Sequence, residues 1–101
     1  MKAFWGLTLA AGLSASPAAA ALSGWYDSAE KIAVILADAA IADQHRQMPL
    51  RGIENIGTNK DGADLWQVES QECRMQVALR AVPPKGVGKT TYEVAGRSAC
   101  D

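Results

Sequence analysis

The stretch that decides the fold runs from Cys73 to Cys100 and reads CRMQVALRAVPPKGVGKTTYEVAGRSAC. Apolar and polar residues alternate over residues 73–81 and again over 90–99, the pattern of half-buried β-strands. The Pro83–Lys89 segment between them holds two prolines and two glycines, as a loop does. The stretch therefore predicts a β-hairpin with a cysteine near the outer end of each strand.

One register of this hairpin meets several requirements together. When the numbers of facing residues add to 173, four pairs fall on the apolar face: Ala81–Tyr92, Leu79–Val94, Val77–Gly96 and Cys73–Cys100. On the other face Arg80 meets Glu93, an opposite-charge pair across the strands. A slip of one residue would turn one apolar row to solvent, so this register is the prediction.

The two cysteines are predicted to form the disulfide Cys73–Cys100. They are the only cysteines in the 101 residues, and small exported domains use such pairs as cross-links. Closing a loop of this length stabilises a fold by about 3–4 kcal/mol if chain entropy dominates. Two free thiols, or a link between chains, are the alternatives.

Upstream of the strands, Ser28–Gln44 predicts one helix. Asp27 is expected to be its N-cap, and Glu30 three residues later would complete a capping box. Four apolar residues recur at helical spacing and define one buried face: Ile32, Ile35, Leu36 and Ala39. Pro49 limits the helix on its far side.

Two more strands are predicted between the helix and the hairpin, Leu50–Ile56 and Leu65–Glu69, joined by a turn at Asn59–Gly62. The predicted fold is therefore α+β, with one N-terminal helix packed on a three- to four-stranded antiparallel meander sheet and one disulfide. This order of elements is the outline of cystatin-like folds, a likeness of topology alone.

A second hairpin is expected to turn at Ser70–Gln71. That turn would set Trp66 against Met75 and Val68 against Cys73, with all four side chains on the core face.

The first twenty residues are predicted to be a cleaved secretory signal peptide. Lys2 precedes an apolar run, Ala3–Leu13, and Ala18–Ala20 has the small residues of a cleavage site. The run is about half of the ~20 residues needed to span a bilayer. We expect one small domain over residues 21–101, periplasmic or secreted, without stable membrane insertion after cleavage.

The charge of the mature chain argues against nucleic acid as a partner. Without Lys2, nine Lys and Arg residues stand against eleven Asp and Glu residues, a net charge of −2. Binding to phosphate backbones requires a basic surface, which this composition does not provide.

Residues 85–90, KGVGKT, resemble the end of a nucleotide-binding loop. The motif G-x-x-x-x-G-K-[ST] requires glycine at position 83, where Pro83 stands, and a helix immediately after it. Thr91–Val94 instead alternates as a strand. We interpret the segment as a hairpin loop and expect no nucleotide and no other cofactor.

Two further features are interpreted as structural. The Asn59–Asp64 segment has polar residues spaced as in a calcium loop, but the flanking ligand positions would be Gly57 and Val68, which lack side-chain oxygens. His45, the only histidine, lies at the predicted helix end, where it can bond the last carbonyls. We predict neither a metal site nor catalytic residues.

The sequence thus predicts a non-enzymatic binding domain, an accessory, inhibitor or adaptor of another envelope or extracellular protein. Four residues are the candidates for partner contact: Trp25, Tyr26, Lys85 and Lys89. For the two aromatic residues, packing against the end of the sheet is the favoured role and partner contact the alternative. A carrier with an apolar pocket between helix and sheet is the alternative function, and an enzyme comes last.

Overall fold

The computed structural model describes residues 23–101. The elements are helices α1 (Gly24–Ala37) and α2 (Ala39–Gln44) and strands β1 (Leu50–Thr58), β2 (Asp64–Ser70), β3 (Arg74–Val82) and β4 (Thr91–Arg97). The strands form one antiparallel sheet in the order β1-β2-β3-β4. The predicted α+β class is therefore confirmed, with four strands. The predicted signal peptide, residues 1–20, lies outside the described residues.

Helix α1 begins one turn earlier than predicted. Ser23 is its N-cap, and its side chain accepts a hydrogen bond from the backbone N–H of Tyr26 at 3.3 Å. The predicted capping box of Asp27 and Glu30 is wrong, because both residues lie inside the helix. Asp27 still stabilises the first turn, where a negative charge faces the positive end of the helix dipole.

The single predicted helix is broken at Asp38. The backbone there is extended, with φ −79° and ψ 114°, and the carboxylate accepts a hydrogen bond from the N–H of Ile41 at 2.9 Å. A short acidic side chain competes in this way with the helical backbone and caps a new helix. The break lets Ile35 of α1 and Ile41 of α2 both reach the core.

The predicted register of the β3–β4 hairpin is confirmed beside the loop and changes further along. The pairs Ala81–Tyr92, Leu79–Val94 and Arg80–Glu93 are all present. The register then shifts, so that Ala78 pairs with Gly96 and Val77 with Arg97. The predicted pair Val77–Gly96 is therefore wrong: Ala95 is an extra residue in β4, as in a β-bulge.

The two cysteines come together beyond the end of β4. The backbone N–H of Asp101 donates to the carbonyl of Arg74 at 2.9 Å and holds the C-terminal segment against β3. Cys73 and Cys100 form the predicted disulfide, with Cα atoms 4.9 Å apart. That distance suits a cross-link without backbone movement.

The β2–β3 hairpin is shifted by two residues from the prediction. Val68 pairs with Met75, and Trp66 with Val77, rather than with Cys73 and Met75. The turn keeps two residues but lies one residue further along the chain, at Gln71–Glu72, since the N–H of Ser70 donates to the carbonyl of Cys73 at 2.9 Å. An even shift keeps every side chain on its predicted face.

The core lies between the helices and one face of the sheet. Trp66 is part of it, as predicted, and the full set of buried apolar side chains is Ile35, Ile41, Trp66, Val68, Cys73, Met75, Val77 and Leu79. Within residues 23–101, neither helix has the length and apolar character that crossing a membrane requires.

Candidate functional site

The meander gives the molecule two ends with different chemistry. We call the end formed by the first turn of α1 and the Pro83–Lys89 loop the loop end. The two elements are joined there by an ion pair between Glu30 and Lys89. We call the other end, with α2 and the Ser70–Cys73 turn, the disulfide end, where His45 contacts Ser70.

Trp25 and Tyr26 lie on the surface of the loop end. They belong to the first turn of α1, and 80% of Trp25 and 64% of Tyr26 is exposed. The packing role expected for them is therefore wrong. Tyr26 precedes Glu30 by one helical turn on the same face, which places it next to the residue that binds Lys89.

Most of the Pro83–Lys89 loop is exposed to solvent. Val87 is fully exposed. Lys85 is also exposed and makes no ion pair with any residue of the described part of the chain. Lys89, also predicted to contact a partner, forms an ion pair with Glu30 that joins the loop to α1.

A polar cluster beneath the loop end fixes α1 on the sheet. Lys31 Nζ lies 2.7 Å from a carboxylate oxygen of Asp64 in β2 and 3.1 Å from one of Asp27. The Tyr92 hydroxyl, from β4, donates to Asp27, and Lys31 lies 5.0 Å from the centre of the Tyr92 ring. The cluster thus ties α1 to two strands.

The pKa values in the cluster follow from these contacts. The hydrogen bond from Tyr92, opposed by burial and reinforced by Lys31, lowers the pKa of Asp27. The same bond raises the pKa of Tyr92. Burial disfavours the charge of Lys31, but the bonds to Asp64 and Asp27 outweigh burial and raise its pKa. Asp27 and Lys31 are therefore both charged at neutral pH.

At the disulfide end, His45 is buried against the sheet. It ends α2, as predicted, but its ring does not bond the last carbonyls. Ring atom Nδ1 lies 2.6 Å from Oγ of Ser70, and Nε2 lies 3.9 Å from Sγ of Cys73. The two polar residues are 5% and 2% exposed, so their contact is shielded from water.

The neighbours of the ring determine its tautomer and charge. A disulfide sulfur has no proton, so a hydrogen atom on Nε2 is required for a favourable contact with Cys73. Nδ1 then accepts a hydrogen bond from the hydroxyl of Ser70. Burial also lowers the pKa of His45. The ring is therefore neutral at neutral pH.

A cavity of about 170 Å³ opens beside this pair, between the helices and the sheet. Ile35, Ile41 and Val68 give it apolar walls, and Leu36 and Leu50, both about half exposed, lie where it meets solvent.

The polar side chains that line the cavity are His45, Ser70 and Gln47. None of the described residues that line it carries a charged side chain, since the only titratable group among them is the neutral imidazole. The cavity is thus a mainly apolar space whose hydrogen-bonding groups are neutral, with the pair His45–Ser70 buried and Gln47 exposed.

Ser70 is a site residue that the sequence reasoning missed. A signal was present: Ser70 is in phase with Trp66 and Val68 on the buried face of β2, and a buried hydroxyl requires a partner. Its partner could not be identified, because His45 lies 25 residues away and the predicted turn, placed one residue too early, put Ser70 outside the strand.

The chemistry available at these residues is limited. Serine and histidine can form a nucleophile and base, but a third group usually orients the base. Within residues 23–101 no carboxylate contacts the ring of His45, and its second nitrogen faces sulfur. No cluster of three or more His, Cys, Asp or Glu side chains in the same residues could hold a metal ion. After the KGVGKT segment the chain forms β4, not a helix.

Comparison of the chain with known protein families, with curated proteins and with solved structures finds no match. The cystatin-like outline accordingly stays a prediction.

Proposed function

We propose that this protein is a small exported binding domain that acts on another envelope or extracellular protein through its loop end. One observation supports this most strongly: Trp25, Tyr26 and Val87 are all exposed, and they belong to two elements that the Glu30–Lys89 ion pair joins at one end of the sheet. Large aromatic side chains supply much of the affinity of protein interfaces, and clustered apolar exposure on a small domain indicates such a surface.

The charge of the loop end indicates the chemistry of the partner. Lys85 is exposed beside the apolar side chain of Val87. A complementary surface would offer an apolar groove for Trp25 and Tyr26 and a carboxylate near Lys85. Lys89 acts differently, since its ion pair with Glu30 positions the loop.

The loop end is also held in place before any partner binds. The Glu30–Lys89 pair joins the loop to α1, and the contacts of Asp27 with Lys31 and Tyr92 join α1 to the sheet. A surface ordered in advance loses less conformational entropy on binding, so it binds more tightly for the same contacts.

Export is supported by the disulfide and by the N-terminal sequence. Cys73 and Cys100 are joined, and such bonds persist in oxidising compartments. Residues 1–20, in which an apolar run is followed by small residues, have the sequence pattern of a cleaved signal peptide. We place the protein in the periplasm or outside the cell, as an accessory, inhibitor or adaptor of its partner.

The proposed activity is binding rather than catalysis. Ser70 is almost completely buried, and the ring nitrogen of His45 that does not contact it faces the Cys73 sulfur. Neither geometry favours attack on a substrate from solvent.

Site-specific photo-crosslinking in the producing cells tests the proposal. A photoreactive phenylalanine analogue replaces Trp25 or Val87 in two test proteins and Gln71, exposed at the disulfide end, in the control. We expect both loop-end positions to give the same discrete crosslinked protein and position 71 to give none. Absence of that product from both loop-end positions, or an equal yield at position 71, would contradict the proposal.

A second candidate function, carriage of a small ligand between helix and sheet, is supported by the cavity beside His45. The cavity lies at the disulfide end, away from the Pro83–Lys89 loop, so the two functions involve different residues and can be tested separately.

A further inference from the structure

We infer that the cavity beside His45 binds a small, uncharged, mainly apolar molecule that carries one hydroxyl group, of about the size of phenol. The inference rests on the second candidate function, to which it gives a ligand class. It does not depend on partner binding at the loop end.

The size of the cavity limits the ligand. About 170 Å³ is available, and an apolar cavity of about 150 Å³ in another protein is known to hold a benzene-sized molecule. The apolar walls formed by Ile35, Ile41 and Val68 suit a compact hydrocarbon body. Because the cavity is open where Leu36 and Leu50 lie, such a molecule can enter without unfolding of the helices.

The cavity does not suit ions as ligands, because its described lining offers no counter-charge. None of the described lining residues is charged, and His45 is neutral for the reasons given above. An ionised ligand would lose its hydration shell without gaining a counter-ion, which is strongly unfavourable in an apolar site. The ligand is therefore neutral.

The hydrogen bond between Ser70 and His45 determines which polar group the ligand must carry. With the ring hydrogen assigned to Nε2, Ser70 donates its proton to Nδ1 of His45, so Oγ retains lone pairs but has no further proton to donate. A hydroxyl group on the ligand can donate to that oxygen. Ser70, held in one rotamer by His45, thus offers an acceptor at the side of an apolar cavity.

Titration of the oxidised, exported protein with phenol, benzene and benzoate, followed by amide NMR, tests the inference. We expect saturable shifts at Ile41, His45 and Ser70 with phenol, weaker binding of benzene, and none with benzoate. In Leu36→Trp, a change at an exposed position of the cavity entrance, phenol should bind about tenfold more weakly or not at all. Ala33→Trp, on the exposed side of α1 and outside the cavity lining, should bind as the wild type does.

The role of Ser70 as the acceptor is tested by the preference of a variant for phenol over benzene. Ser70→Ala should abolish the preference for phenol over benzene while both still bind, because the ratio of the two affinities does not depend on overall stability. An unchanged preference in this variant would overturn the assignment of the acceptor.

The remaining outcomes separate the ligand class from the carrier function. Benzene bound as tightly as phenol, or tight binding of benzoate, would overturn the ligand class and leave a carrier function intact. No saturable binding of phenol or benzene, or equal binding to Leu36→Trp, would overturn the cavity as a ligand site. Binding of a capped leucine peptide in place of phenol would assign the cavity to a partner's side chain and would also overturn the inference.

Discussion

His45 connects three parts of the disulfide end through a single side chain. It terminates α2, its ring contacts Ser70 at the end of β2, and its other nitrogen faces the sulfur of Cys73. A buried imidazole with these neighbours is stable only when neutral, because protonation would place a charge beside a hydroxyl and a sulfur with no nearby carboxylate in the described residues.

A pH dependence of stability follows from this burial. The pKa of His45 is lowered in the folded protein from its ordinary value of 6.5, so the unfolded chain binds the proton first. The lowered pKa of His45 therefore contributes fully to stability above pH 6.5. That contribution is lost as the pH falls from 6.5 to the pKa of the folded state. Urea unfolding midpoints measured between pH 7.5 and pH 5 should therefore fall on acidification.

The matched variant for this measurement is His45→Gln, which keeps a polar side chain but does not titrate. Its unfolding midpoint should depend less on pH over the same range, whatever its overall stability. Asp27 does not obscure the comparison, because its lowered pKa affects stability only below its ordinary value of 3.8. An equal pH slope in the two proteins would exclude His45 as the cause.

At the scale of elements, Asp38 determines how the helices cover the sheet. Its side chain caps α2 at the point where the chain leaves the axis of α1. Asp38→Ala should lower the free energy of unfolding by about 0.5–2 kcal/mol, the usual cost of losing an N-cap. Asp43→Ala, at an exposed position near the end of α2, is the control and should change stability by less than about 0.5 kcal/mol. Chemical denaturation measures both, and equal losses would show that Asp38 is not a cap.

These elements could be predicted from the sequence only where their side chains strongly favour one register or one conformation. The β3–β4 hairpin could be placed because Arg80 and Glu93 have opposite charges and the apolar rows alternate without interruption. The bulge at Ala95 could not, because alanine and the following glycine carry no side chain that favours one register. The helix break was missed since Asp38 lies within an alanine-rich segment that fits one continuous helix equally well.

The candidate sites were less predictable than the strands, because no local side-chain preference determines where the helix begins or where the turn lies. Trp25 and Tyr26 were recognised as candidates, but their exposure depends on Ser23 being the N-cap, which puts them on the first turn of α1. The pair His45–Ser70 depends on a turn that lies one residue further along the chain than expected, which leaves Ser70 in β2, and on a contact between residues 25 positions apart that no local pattern indicates.

For the whole molecule, the fold separates the two proposed binding sites along the length of the sheet. The loop end has exposed aromatic residues on a helix that an ion pair joins to the Pro83–Lys89 loop, and the disulfide end has a neutral cavity next to the cross-link. Because β3 and β4 lie between the two ends, a change at one end should leave the other end unaffected. The two proposals are therefore compatible in one small domain.

The most direct test of the central claim, an exported binding domain that uses its loop end, is native mass spectrometry of the protein purified from its own cells, before and after reduction. A Trp25→Ser/Val87→Ser variant is measured beside the wild type. We predict a wild-type chain of residues 21–101, two hydrogens short until it is reduced, carrying a second protein that the variant lacks. A mass that retains residues 1–20, or a second protein that is absent from both samples or equally present in both, would contradict the claim.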